Sequence, residues 1–284
     1  MEENRAENQT PQRQHTQAKT HQAHKKKKGG TAKTVIGTIL AIGLTTCLMF
    51  FAIFMVYVHT SLDLNVDISA YTLKQSSTVY YQDKASGEWV ELTKLHGEEN
   101  RTLVSIDDIP KHVQEALISI EDERFYKHHG VDWWRTLGAV KGWVLGGDQY
   151  GGSTITQQLV KNITGRDEVT VRRKLVEIFS ALELEKKYTK KQIMELYLNV
   201  IALGENCEGV ESASQVYFGK SVNELDLAEC AALIGITKNP SIYDPYINAD
   251  KNKERQVIIL DQMLEQKYIT QEQHDTAVAE ELVL

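Results

Sequence analysis

Only three cysteines and four prolines occur in this chain of 284 residues. Cys47 lies inside a long apolar run, so Cys207 and Cys230 form the sole candidate pair. One possible disulfide is no framework for a domain of this size. Cys230, within Leu227-Ala228-Glu229-Cys230-Ala231-Ala232-Leu233, reads instead as a small buried residue. No His-Glu-x-x-His spacing is present, and the adjacent His128 and His129 point apart on most backbones, which argues against zinc there. No Gly-x4-Gly-Lys-Ser/Thr loop occurs, which excludes a P-loop nucleotide site. There is no internal repeat. Positive charge is not in excess either: 32 Lys and Arg face 39 Asp and Glu, a net charge of -7, and the total gives no nucleic-acid signal.

The charge is unevenly spread. Residues 1–34 carry eight basic side chains, including Lys25 to Lys28 and Lys33, against three glutamates. This polar segment has almost no large apolar residue, cannot bury enough surface to offset its ordering entropy, and is expected to be a disordered tail. Directly after it, Val35 to Val58 holds 24 residues without a charge. Roughly 20 apolar residues span a bilayer core as a helix. A removable signal usually has a shorter apolar region and a small-residue cleavage site. This stretch is long and ends in Phe54, Met55, Val56, Tyr57 and Val58, so a retained anchor is expected over 35–58. The lysines before it predict a cytoplasmic N-terminus and a main domain outside.

Residues 59–106 read as a stalk. Thr78 to Tyr81 and Glu88 to Leu92 flank the turn-like Asp83 to Gly87, which predicts a hairpin. From 107 to 284 the pattern is helical. Asp107-Asp108-Ile109-Pro110 offers acidic caps and a proline near the first helical position. Val113, Ala116, Leu117 and Ile120 then recur at helical spacing up to Glu121. Further helices are predicted after Gly151-Gly152-Ser153, over 170–185, after Thr189 (whose spacing to Gln192 is that of a capping box), over 225–236 and over 255–264.

Three segments have the residue types for chemistry. Glu121 to Gly130 follows an apolar helix end with three acids, two bases and two histidines; it is either a solvated terminus or the seat of a general-base carboxylate. Gly146 to Asn162 contains four glycines, then hydroxyls and amides opening a helix. A helix N-terminus offers free N–H groups and a positive dipole end that suit phosphate, with Lys161 adding charge; the alternative is a mobile surface loop. Arg172 to Glu185 embeds Glu177 in an apolar run one turn after Arg173. The pair is either an ordinary i,i+4 ion pair or a buried functional one. Between the first two segments, Trp133, Trp134, Leu137 and Trp143 fit either a core or a patch at a membrane interface.

Taken together, these segments resemble the peptidoglycan glycosyltransferases of family 51, which include monofunctional transglycosylases and the N-terminal half of class A penicillin-binding proteins. The matching runs are Glu121 to Gly130, Gly151 to Asn162, Arg173 to Glu177, Tyr188 to Lys190 and Glu195 to Asn199, with weaker ones at Gly235 to Ser241 and Arg255 to Met263. The resemblance covers roughly residues 70–284. It implies a mainly α, lysozyme-like domain with a membrane-facing jaw, and polymerisation of lipid II into β-1,4-linked glycan with release of undecaprenyl diphosphate. It implies Glu121 as the base for the acceptor 4-hydroxyl and Glu177 as an aid at the diphosphate, with a divalent cation such as Mg or Mn as a possible helper. Asp122, Arg124, Phe125, His128, Ser153, Thr154, Gln157, Gln158, Lys161, Arg173 and Lys174 would contact substrate. Implied partners are lipid II, the growing glycan, the plasma membrane and other cell-wall synthesis or division proteins. The stretch Ala202 to Val210 departs from the family pattern. No Ser-x-x-Lys or Lys-Thr-Gly occurs, so no transpeptidase half is expected in this chain. A lysozyme-like hydrolase would also use carboxylates, but has no diphosphate to hold. An inactive wall scaffold is the non-enzymatic alternative.

Overall fold

The computed structural model describes residues 29–62, 64, 66, 77–82, 87, 89–95, 100–146, 151–165, 168 and 170–284. The tail expected over 1–34 falls largely outside them. Two compact units are present, one ending at Val56 and one beginning at Tyr57.

The first unit consists of helix α1 (Gly29–Ser61) up to Val56. From Lys33 onward it is 29 residues long and apolar enough to cross a membrane. It starts six residues before the apolar run predicted from sequence, because helix propagation needs only compatible backbone once a nucleus exists.

In the second unit, Val58 in the last turn of α1 and Leu62 just after it form a small apolar cluster with Val176. Strands β1 (Ser77–Gln82) and β2 (Trp89–Leu95) pair antiparallel with a bulge between Val79 and Tyr80. The two-residue strand β3 (Asn100–Arg101) runs parallel to β4 (Cys207–Glu208). Beyond it the domain is helical: α2 (Lys111–Glu121), α3 (Trp133–Leu145), α4 (Ile155–Thr164), α5 (Val171–Lys187), α6 (Lys190–Val200), α7 (Val210–Phe218), α8 (Leu227–Ile236), α9 (Pro240–Tyr243), α10 (Ala249–Glu265) and α11 (Gln271–Ala279). The expectation of a mainly α domain holds.

The core forms around α8. From Ala228 to Ile236 every residue is buried, and a helix apolar on all sides must be enclosed. It packs against α2 and α10. Cys230 is buried there and free, as is Cys207. A second layer is made by α4 against α5 and α6. The extended chain entering the domain is stitched to α6: the Asn199 side chain accepts from Val104 N–H and donates to Val104 O, both at 2.9 Å, and Glu195 accepts from Ile106 N–H at 2.9 Å. The amide of Asn199 thus substitutes for a neighbouring strand.

The caps follow the sequence in part. Thr189 and Gln192 form the expected capping box. The acidic caps expected before α2 do not form: no side chain caps that helix, and Asp107 pairs with Lys191 at 2.6 Å. Sequence periodicity also overlooked α3, α7 and α11, which are short or carry apolar residues on several sides.

Candidate functional site

One cleft of about 1020 Å³ opens between the ends of α2, α4 and α5 and the segment that links α8 to α9. Glu121, the last residue of α2, stands on its floor. Gln158 on α4 donates to Glu121 Oε2 at 2.8 Å and accepts the Tyr197 hydroxyl at 2.9 Å. Burial, with the Glu121 charge adding to it, holds the Tyr197 phenol well above its ordinary range, so it stays a donor. On the other side, Arg255 Nη2 lies 4.0 Å from Glu121 Oε1. Burial pulls this guanidinium below its usual value while Glu121 opposes the shift.

The far wall is cationic. Glu177 is 5% exposed and sits between two cations: Arg173 Nη1 at 3.0 Å and Lys174 Nζ at 2.9 Å. Lys174 also donates to Ser153 Oγ at 2.8 Å, which ties α5 to the segment before α4. Lys161 is exposed at the rim. Gln157 Nε2, Arg173 Nε and Arg255 Nε are buried donors with no hydrogen-bond partner among the described residues. Such donors are costly in isolation and favour an acceptor brought in by a ligand.

The glycine-rich segment behaves differently from its sequence reading. Free N–H groups were expected at the start of α4. Thr154 and Gln157 close a capping box there, and Asp122 accepts Ile155 N–H at 3.0 Å. Two of the first donors are therefore already engaged, and a buried carboxylate sits where an anion was expected. The cationic side chains along the cleft remain the candidates for meeting an anion. Residues 147–150 lie outside the described residues.

Of the residues singled out from sequence, Glu121, Ser153, Gln157, Gln158, Lys161, Arg173, Lys174 and Glu177 line the cleft. Asp122, Arg124, Phe125, His128 and Thr154 are not among its lining residues. Phe125 and Asp122 are fully enclosed, and the Thr154 hydroxyl donates to Gly130 O at 2.6 Å. Arg124 pairs with Asp132 through two nitrogens. That bond is the main reason the Asp132 carboxyl is held down at about 2. Asp132 in turn caps α3, accepting from Arg135 N–H at 3.0 Å.

Arg135 was not foreseen. It donates to Glu121 O at 2.6 Å and to Gly151 O at 2.9 Å, clamping two motif segments from α3. A lone arginine among tryptophans carries no local sequence signal for such a role. Trp133, Trp134 and Leu137 beside it are more than half exposed, so they are not core. Arg255 was visible only as the edge of a weak motif. Thr237, Lys238, Asn239 and Pro240 complete the wall.

Among the described residues no group of three or more His, Cys, Asp or Glu converges. Glu177, expected to aid at the diphosphate with a divalent cation as a possible helper, has a cation against each oxygen. This donor set does not fit a metal held by the protein.

Residues 88–264 match the model of the Transglycosylase family. The chain is 40% identical over 254 residues to penicillin-binding protein 1A of Neisseria cinerea, covering 88% of this chain and 31% of the relative. It is 44% identical over 213 residues to that of Neisseria flavescens (75% and 26%) and 38% identical over 264 residues to that of Clostridium botulinum (89% and 31%). A crystal structure of penicillin-binding protein 1A from Haemophilus influenzae aligns at 27% identity and a TM-score of 0.43, over 74% of this chain and 21% of that one. The chain therefore spans under a third of the length of the curated relatives it matches. With the family model matching well over half its residues, this chain belongs to the transglycosylase family, the glycosyltransferases of family 51.

Proposed function

We propose that this chain polymerises lipid II into β-1,4-linked glycan outside the plasma membrane, with Glu121 as general base. The observation that carries the reading is one cleft holding a carboxylate on its floor and a cationic wall of Lys161, Arg173 and Lys174 opposite. Glu121 takes the proton from the acceptor 4-hydroxyl as that oxygen attacks C1 of the donor muramyl unit. The C1–O bond to phosphate breaks, and undecaprenyl diphosphate leaves with the bonding electron pair. Its developing charge meets the cationic wall, where preorganised charge is most effective. Glu177 sets the positions of Arg173 and Lys174 rather than touching the leaving group. A hydrolase reading leaves this wall without a task.

The exposed Trp133, Trp134 and Leu137 on α3 suit the membrane interface, where a lipid-linked donor is delivered. With α1 as the anchor and the lysine run on the cytoplasmic side, the domain faces outward.

Incubating detergent-purified full chain with labelled lipid II and separating the products on a gel tests this. A ladder is expected, lost on addition of moenomycin and lost in Glu121→Gln with unchanged circular dichroism. Absence of a ladder from folded wild-type protein would favour a scaffold, and a full ladder from Glu121→Gln would remove the base assignment.

A further inference from the structure

Behind the cleft floor runs a line of charged side chains that the chemistry above does not use. Asp122 is fully enclosed, and its carboxylate faces His128 Nε2 at 2.9 and 3.0 Å as well as Ile155 N–H. On the other edge of the ring, His128 Nδ1 lies 3.5 Å from Lys190 Nζ. Lys190 pairs with Glu185 at 2.7 Å and stands over the Phe125 ring, 4.3 Å from its centroid. The same Glu185 oxygen accepts the Thr156 hydroxyl at 2.5 Å.

An ammonium has three donors and no acceptor. The imidazole nitrogen that faces it must therefore accept, which leaves the ring proton on Nε2, aimed at Asp122. A doubly protonated ring would set N–H against N–H at Nδ1. Asp122 also donates its own N–H to Ile118 O at 3.0 Å, closing α2. One residue thus joins the end of α2, which carries Glu121, to the start of α4, which carries Gln158.

We propose that Lys190 is a positioning residue for Glu121: it fixes His128 as the neutral Nε2–H tautomer, which locks the Asp122 carboxylate between α2 and α4. This rests on the reading of Glu121 as the base. The register between Glu121 and its donor Gln158 is then set by a partly buried lysine on α6. Burial draws the Lys190 ammonium below its ordinary value, and the hydrogen bond and charge of Glu185 oppose that shift.

The test uses the full chain in detergent with 15N-labelled histidine, the His128 signals being identified by their loss in His128→Gln. In the wild type, Nδ1 is expected at the shift of an unprotonated ring nitrogen and Nε2 at that of a protonated one, near neutral pH. Lys190→Met should let Nδ1 take up a proton as well, giving the doubly protonated ring against Asp122, and lower kcat about 10- to 100-fold with little change in KM, since small misplacements of reacting groups act on the chemical step. Lys190→Arg should restore both. A doubly protonated or Nδ1–H ring in the wild type overturns the proposal even if Lys190→Met does not fold. So does wild-type kcat in a folded Lys190→Met. Should Glu121→Gln keep polymerising, the base assignment fails, whereas the tautomer and its response to Lys190 are read independently of it.

Discussion

The Tyr197–Gln158–Glu121 chain makes a quantitative prediction. Gln158→Ala deletes a hydrogen bond to an ionised carboxylate, a class worth about 1.5–3 kcal/mol. At about 1.4 kcal/mol per decade, kcat should fall roughly 10- to 150-fold if the bond orients the base in the transition state. Tyr197→Phe removes only the hydroxyl that holds the Gln158 amide oxygen, a neutral bond worth about 1 kcal/mol, so a loss of roughly 3- to 10-fold is expected. Because Tyr197 acts through Gln158, the two losses should not multiply. The double variant should resemble Gln158→Ala alone, which a double-mutant cycle on initial rates of lipid II polymerisation resolves. Thermal melts control for the packing of Tyr197, which is 1% exposed. Multiplicative losses would show that Tyr197 serves the reaction by some route other than the amide, and the chain would have to be abandoned as a unit.

Three other outcomes are expected. Gly130 has φ +83°, and a Cβ there would lie 2.6 Å from Ala181 O, so Gly130→Ala should cost at least about 2 kcal/mol and lower Tm measurably. A Tm within one degree of wild type would contradict the tight approach. Asp132 has a depressed carboxyl, so its contribution to stability is present above its unfolded value and is lost as pH falls toward about 2; without Arg124 the folded value moves back toward the unfolded one and that contribution shrinks. Arg124→Gln should therefore raise the midpoint of acid unfolding, read by circular dichroism, and an unchanged midpoint would refute the coupling. His274 bridges Asp275 and Asp261, both at 2.9 Å, and these partners raise its pKa above 6.5. The bridge is fully formed below that value and fades as pH rises through the folded one. Hydrogen exchange in α11, corrected for intrinsic rate, should speed up over that range in the wild type and not in His274→Gln.

Much of this was legible in the residues. The apolar stripe of α2 fixed the place of Glu121, and the Thr189 to Gln192 spacing fixed the start of α6. Local pattern reached those elements because their signals lie within one or two turns. It did not reach the roles of Asp122, Phe125 and His128. Their residue types suit substrate contact, and only burial distinguishes a ligand from a support. Burial is a property of packing between α2, α4 and α6, which lie far apart in sequence. Arg135 shows the same limit: its two acceptors are backbone carbonyls, which every residue has and no motif marks. The state of the donors at the α4 N-terminus was hidden for a related reason. A helix start advertises donors in sequence, but a carboxylate 33 positions away had already taken one.

That occupied helix end has a consequence for how the grip on an anion can change over time. A pocket of backbone amides is a feature of chain geometry, and altering it means altering the fold. In the proposed reaction the anion is met by Lys161, Arg173 and Lys174, each of which a single codon change can swap, shorten or delete. Affinity for the departing group would then be adjustable one side chain at a time, with Arg173 and Lys174 coupled through Glu177 and Lys161 at the rim separate from them, while the scaffold that presents Glu121 stays untouched.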